Sequence, residues 1–295
     1  MIQEFMPEEE LLYPGHVACP GCGASLSMRY ALKALGEKTL LVIPACCWSI
    51  IAGPFPYSSV SVPLAHVPFE TAAAVSSGIR AALDQQGQDD VTVVAWGGDG
   101  GTFDIGLQAL SGAMERNEDF IYVCYDNEAY MNTGIQRSSA TPWGAWTTTT
   151  PAENKKAEPK KNMLEIAAAH RIPYTATLSL AYPEDFMMKF NKAMKIKGTR
   201  FLHILSPCPP GWKLADDLTI RISRLAVRSR IFPLYEIEDG RNYTITVEDP
   251  VKVPVREYLQ LQRRFAHLTD ADIDFIQETV DRQYDRLLGR VERSA

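Results

Sequence analysis

The chain has 295 residues, 46% of them hydrophobic, with 36 acidic against 30 basic side chains and a formal net charge of −6. That is an ordinary globular composition; the acidic balance lends no support to nucleic-acid binding, and no run approaches the roughly eighteen apolar residues of a membrane span. The start Met1-Ile2-Gln3-Glu4-Phe5 lacks the basic and then apolar pattern of a signal peptide, so the expectation is a cytoplasmic protein with neither membrane nor nucleic acid as partner, its six cysteines outside any disulfide framework.

Residues 14 to 23 read Pro-Gly-His-Val-Ala-Cys-Pro-Gly-Cys-Gly. The Cys19-x-x-Cys22 turn, bounded by Pro20, Gly21 and Gly23, can aim two thiolates at one metal. Leu26, Tyr30, Leu32 and Leu35 then mark a helix that Gly36 ends. The strand Thr39 to Ile43 breaks at Pro44 and runs into Ala45-Cys46-Cys47-Trp48, which places a further cysteine on a strand-terminal loop. Gly53 to Pro63 is a proline- and serine-rich loop carrying Phe55 and Tyr57. It leads to His66-Val67-Pro68-Phe69-Glu70 and an alanine-rich helix from Thr71 to Gln86. His16 and His66 read equally well as loop histidines bonded to backbone; His66 is a second-tier candidate for contact with a substrate or cofactor.

The next stretch organises the chain. The apolar run Val91 to Trp96 is stopped by Gly98-Asp99-Gly100-Gly101 and reads as a buried parallel strand. Ile105, Leu107, Leu110 and Met114 recur at helical spacing, and a second buried strand, Phe120 to Tyr125, delivers Asp126-Asn127-Glu128 to a loop. This is a βαβ crossover, with both strand ends on the sheet edge where open α/β folds bind ligands. Glycines let backbone N–H groups approach a diphosphate, and Asp99 and Asn127 add two hard oxygens. With a loop carbonyl and phosphate oxygens, these would suit Mg²⁺. A turn aspartate and a strand-terminal asparagine that merely cap loops are the plainer alternative.

Ile135 to Thr150 is a long loop containing Trp143, Trp146 and four consecutive threonines, and such loops are usually functional. Glu153 to Lys161 carries four lysines and reads as solvated. A further α/β round follows: a helix from Met163 to His170, a strand from Tyr174 to Leu178, a helix starting at Pro183 and a strand from Phe201 to Leu205. That last strand ends in Ser206-Pro207-Cys208-Pro209-Pro210-Gly211-Trp212, a rigid turn. Ala215 to Arg228 is amphipathic, and Leu234 to Val247 alternates about Asp239-Gly240 as a hairpin does. The last helix, from about Thr269, carries the stripe Ile273, Ile276, Val280, Tyr284, Leu287, Val291, which packs on a partner subunit or on its own core. One α/β domain over residues 1–232 with a hairpin and helical extension over 233–295 is the expected organisation.

Cys124 falls inside a strand and reads as core. Cys19, Cys22, Cys47 and Cys208 lie at glycine- or proline-bounded turns, where thiolates can bind zinc or an iron–sulfur cluster. The spacing is not that of a zinc ribbon. An electron-rich cofactor adduct nearby would give a cluster something to accept.

The pattern of Gly-Asp-Gly followed 28 positions later by Asn resembles the thiamine diphosphate (ThDP) motif. That resemblance implies Asp99, the Asn127 side chain and the Ala129 carbonyl as Mg²⁺ ligands, Gly98, Gly100 and Gly101 beside the diphosphate, and Asn132 against the cofactor. GHxACxGCG, the PFPY loop, HVPFE, GDGGTFDIG, YMNTGIQRSSATPWGAWTTTTP, AYPEDF and PCPPGW, in this order, resemble the β subunit of 2-oxoacid:ferredoxin oxidoreductases, closest to the pyruvate enzymes. The resemblance implies a ThDP-binding fold, ThDP, Mg²⁺ and one [4Fe–4S] cluster on Cys19, Cys22, Cys47 and Cys208. It further implies oxidative decarboxylation of a 2-oxoacid to an acyl-CoA or the reverse, an α subunit supplying the acid that faces the ThDP pyrimidine, γ and ferredoxin-like δ subunits, and ferredoxin as acceptor. Branched-chain, aryl or oxalate-type 2-oxoacids are the rivals within that class, and a non-catalytic assembly subunit is the rival outside it. Two departures stand out: Cys46 takes a position where many relatives have glycine, which puts a side chain beside the cofactor or the cluster, and Trp143 replaces a common tyrosine.

Overall fold

The computed structural model describes residues 6–294. Eight strands form one sheet in the order β2-β1-β3-β4-β6-β5-β7-β8. They are β1 (Thr39–Pro44), β2 (Leu64–Val67), β3 (Thr92–Gly98), β4 (Ile121–Asp126), β5 (Tyr174–Ser179), β6 (Arg200–Leu205), β7 (Leu234–Glu238) and β8 (Asn242–Val247). The first six are parallel, and the β7–β8 hairpin adds antiparallel to β5. The mostly parallel α/β sheet read from the sequence is therefore the observed one, and the C-terminal hairpin extends it.

Alternation along the strands divides two cores. One face, including Val94, Trp96, Val123, Tyr125, Leu202 and Ile204, packs under α1 (Gly23–Leu35), the short α2 (Trp48–Ile51) and α6 (Pro183–Lys195). The other, including Val93, Ala95, Tyr122, Cys124 and Phe201, packs under α3 (Ala72–Gln85), α4 (Leu107–Glu115) and α5 (Met163–Ala169). β4 is buried along its whole length, as a central parallel strand must be. The helices have local causes. Gly36 stops α1 at φ 74. Asn162 caps α5 by accepting the Glu165 N–H. Pro183, Glu184 and Asp185 open α6, with Lys192 and Lys195 in its last turn.

A third core joins α7 (Pro209–Trp212), α8 (Thr219–Arg228), α9 (Val255–Gln260) and the long α10 (Asp270–Ser294). The stripe on α10 is spent inside the chain: Ile273, Ile276 and Val280 enter this third core, and Leu287 and Val291 the second. Trp143 packs tilted against Phe275 of the same helix, ring centroids 4.9 Å apart, and Lys213 lies over the Trp146 ring at 3.2 Å. Of the two covers read for this stripe, its own core is the one observed, with Phe275 left 45% exposed beside it.

β1 leads left to β2, whereas β3 returns on the right of β1, so the sheet reverses between β1 and β3. In open α/β sheets the crevice at such a reversal, at the carboxyl ends of the strands, is the ligand site. Cys46 and Cys47 follow β1, Asp99 follows β3, Asn127 follows β4 and Cys208 follows β6.

Candidate functional site

Beyond β3 the backbone does not enter an α-helix directly. Gly100–Ile105 forms a wide π-turn, closed by the Gly106 N–H on the Gly101 carbonyl at 2.8 Å. The Tyr130 ring lies where a Cβ on Gly100 would sit, with ring carbons 2.5 Å from that position. Only glycine permits this approach. The tyrosine backs the loop and donates to Asp104 at 3.1 Å.

Asp99 is 1% exposed and accepts the Ser138 hydroxyl on Oδ2 at 2.5 Å. Its other oxygen faces the Asn127 side-chain oxygen at 3.0 Å, and that oxygen faces the Ala129 carbonyl at 3.1 Å. Without a cation, rotating the amide would turn two repulsions into two hydrogen bonds. With one, the amide oxygen is the group required. Oxygens bound cis at about 2.0–2.1 Å on an octahedral Mg²⁺ are about 3 Å apart, so the Asp99–Asn127 and Asn127–Ala129 pairs each have the spacing of such a site. Burial, and then the neighbouring Asp126 charge, push the Asp99 carboxyl well above the usual range. A bound divalent cation is what would let it ionise there.

Behind this trio lies a charged network that sequence reasoning missed. The Lys160 ammonium sits between Asp126 at 2.5 Å and Glu128 at 2.7 Å, and Arg264 reaches Glu128 at 2.5 Å. His203 lies 2.8 Å from Asp126. Burial opposes ionisation of Asp126, but Lys160 and the His203 hydrogen bond outweigh it and hold the carboxyl at about 2. Burial holds His203 below the usual imidazole range, so the neutral ring donates its Nε2–H to the carboxylate. The reading of residues 153–161 as solvated is corrected here: Lys156 is buried with its ammonium on the Glu158 and Pro159 carbonyls, and Lys160 points inward. Glu128, between two of the trio, has φ 66. Its N–H bonds Asp126 and its carbonyl accepts from Thr141, which fix that turn. A cleft of ≈ 460 Å³ under α10 opens onto Glu128, Lys160 and His203, but neither Asp99 nor any cysteine lines it.

The four candidate cluster cysteines come from three segments: the turn before α1, the loop after β1 and the loop after β6. The Gly23 N–H bonds the Pro207 carbonyl at 3.0 Å, with room only for glycine, so the start of α1 seats on the exit of β6 and brings Cys22 towards Cys208. The Trp48 indole donates to the Ala24 carbonyl at 3.2 Å and ties α2, with Cys47 at its N-cap, to α1. Burial pushes up the Cys22 thiol and the Cys47 thiol, the latter further under Cys46, Cys208 and Cys22, while Cys208 is pushed up to about 12. Cys19 is exposed at the rim. Among the described residues no three His, Cys, Asp or Glu side chains converge tightly enough to hold a single ion. Cys46 lies on the Gly98 side: its Cβ is 3.7 Å, and the Tyr125 hydroxyl 3.3 Å, from where a Gly98 Cβ would be. Cys124 is core.

Asn132 is exposed in the turn between Tyr130 and Gln136, and His66 is exposed on the edge strand β2. His16 accepts the Ala18 N–H at 3.4 Å, a loop role.

The fold is that of a thiamine pyrophosphate-enzyme domain, and residues 50–204 match the family described as thiamine pyrophosphate enzyme, C-terminal TPP binding domain. Ketoisovalerate oxidoreductase subunit VorB of Pyrococcus furiosus is 54% identical, covering 96% of this chain and 94% of that one. Pyruvate synthase subunit PorB of Methanothermobacter thermautotrophicus is 52% identical, covering 94% and 96%. The solved 2-oxoglutarate:ferredoxin oxidoreductase of Magnetococcus marinus shares the fold, with a TM-score of 0.57 at 23% identity over 76% of this chain and 80% of that one. The chain belongs to the β-subunit family of 2-oxoacid:ferredoxin oxidoreductases.

Proposed function

We propose that residues 1–232 bind ThDP through a Mg²⁺ held by Asp99, the Asn127 oxygen and the Ala129 carbonyl, and carry one [4Fe–4S] cluster on Cys19, Cys22, Cys47 and Cys208. In this reading the chain is the β subunit of a complex that converts a small aliphatic 2-oxoacid, pyruvate first, to an acyl-CoA and CO₂, or runs the reverse. An α subunit completes the cofactor site, γ and ferredoxin-like δ subunits complete the complex, and ferredoxin takes the electrons. The observation that carries it is the oxygen trio, 3.0 and 3.1 Å between neighbours around Asn127.

Bound ThDP supplies the nucleophile that releases CO₂ from the 2-oxoacid, and a bound cluster supplies the one-electron acceptor. The chain's own residues prepare the place. Ser138 holds Asp99 with one oxygen turned to the metal, the π-turn at Gly100 and Gly101 exposes backbone N–H groups to a diphosphate, and burial keeps water off both. A four-iron cluster takes thiolates from separate turns, and the Gly23–Pro207 and Trp48–Ala24 hydrogen bonds tie the turns bearing Cys22, Cys208 and Cys47 to one another.

A second substrate has a specific observation behind it. From Pyrococcus furiosus, the ketoisovalerate subunit is 54% identical and the pyruvate subunit 45%. Anaerobic purification with iron, sulfide, zinc and ThDP analysis tests the sites. Turnover of pyruvate and 2-oxoisovalerate by the whole complex, with and without CoA, tests the reaction. Stoichiometric zinc without iron, or ThDP content unchanged in Asp99→Ala, would overturn the assignment.

A further inference from the structure

Asn127 touches both sites. Its amide oxygen belongs to the oxygen trio, while its amide nitrogen lies 3.9 Å from Cys47 Sγ. Its main-chain carbonyl is held by the Trp212 indole N–H at 2.8 Å, which pins the backbone and leaves the amide orientation as the free variable. The amide admits two orientations. In one, oxygen faces Asp99 and Ala129 and N–H faces the sulfur. In the other, the nitrogen donates to Asp99 at 3.0 Å and to Ala129 at 3.1 Å, and an oxygen faces the sulfur.

Resting on the proposed function, we infer that Asn127 couples the diphosphate metal to the cluster: Mg²⁺–ThDP locks the amide with N–H towards Cys47, and that N–H raises the cluster's reduction potential. The physics is short. A cation claims the amide oxygen, so the donor must point the other way. A cluster that takes up one electron places added negative charge on its thiolates, and N–H donors to those sulfurs stabilise the reduced form. A charged sulfur also draws its donor closer than a neutral thiol does. Remove the metal and the rotated amide presents a carbonyl oxygen to the sulfur, which disfavours the reduced cluster. By linkage the coupling is reciprocal, so a reduced cluster tightens retention of Mg²⁺–ThDP by the same factor. The positive charges of Mg²⁺ and thiazolium nearly cancel the diphosphate, so simple charge addition does not mimic the effect. Asn127 thereby sets the cluster to accept electrons best when the decarboxylating cofactor is in place.

The test uses the purified complex carrying side-chain ¹⁵N-labelled asparagine. Redox titration of the cluster, followed by electron paramagnetic resonance, is run with Mg²⁺–ThDP bound and after its removal. The loaded complex is expected to favour the reduced cluster by roughly tenfold more, about 59 mV for one electron, and to show an asparagine ¹⁵N hyperfine coupling that disappears on unloading. Asn127→Asp keeps an oxygen for the metal and has no N–H, so it should lose the coupling and the ThDP dependence. A potential indifferent to Mg²⁺–ThDP, or no ¹⁵N coupling in the loaded wild-type complex, overturns the inference, and neither measurement depends on the variant folding. A complex without iron fails earlier and overturns the functional reading itself.

Discussion

Arg264→Met is the sharpest test of the network behind the oxygen trio. Arg264 and Glu128 have side chains only 3% exposed and bond at 2.5 Å; the guanidinium also donates to Gln262 at 2.9 Å and lies 4.0 Å over the Trp212 ring. Two carboxylates, Asp126 and Glu128, are balanced there by two cations, Lys160 and Arg264. Removing one cation leaves an uncompensated buried charge, a change that costs about 3–5 kcal/mol. At an m-value of about 3 kcal/mol per M, the urea midpoint of the isolated chain should fall by about 1–1.7 M. Arg264→Lys should recover little, because it loses the planar fork and the stacking. Glu128→Gln with Arg264→Met restores neutrality, since Asp126 keeps Lys160, and should recover about 2 kcal/mol or more of coupling. A single-variant cost under about 1 kcal/mol, or a strictly additive double variant, would show that the pair is not desolvated and refute the reasoning.

Ser138→Ala frees the Asp99 carboxylate and should raise the Mg²⁺ concentration needed for ThDP retention about 10–100-fold, measured by equilibrium dialysis, with fold stability changed far less. Cys208→Ser should abolish the intact cluster by iron analysis, whereas Cys124→Ser, in the core, should lower thermal stability and leave iron in place. Burial lowers Lys156 to about 8 from the 10.5 of an open chain, so its contribution is present in full above 10.5 and lost as pH falls through 8. The stability of wild type relative to Lys156→Met should therefore rise between those two values, as followed by urea unfolding at each pH. The chain reconstituted alone should not sustain 2-oxoacid-dependent viologen reduction, because in the proposed reading the pyrimidine-facing acid comes from the α subunit, and Glu70 is exposed ahead of α3.

What the sequence showed and what it hid divide by range. The unit around Asp99 and Asn127 was legible because a glycine-stopped apolar run, a helix and a second run are consecutive, and topology then forces both ends onto one edge. The turns bearing Cys19, Cys22, Cys47 and Cys208 were legible one by one. Their gathering depends on Gly23 seating α1 on Pro207, a contact between distant segments that no spacing encodes. Lys160 looked like any solvated lysine because its partner Glu128 lies 32 residues away, and Arg264 is 136 residues from that same carboxylate. The stripe on α10 announced burial without naming its cover, and the chain itself supplies it.

That same long-range assembly explains why two sites stand so close. A reversal between β1 and β3 makes one crevice, and the strand that follows, β4, ends inside it. β3 lies between β1 and β4 in the sheet, so it is the loop after β1 that carries Cys47 across to 3.9 Å from the Asn127 amide nitrogen, while Asp99, after β3, faces the other atom of that amide. In the proposed reading, the loops after β1, β3 and β4 set how near the thiols stand to the oxygen trio, and the end of Asn127 that points at Cys47 sets the potential of the cluster.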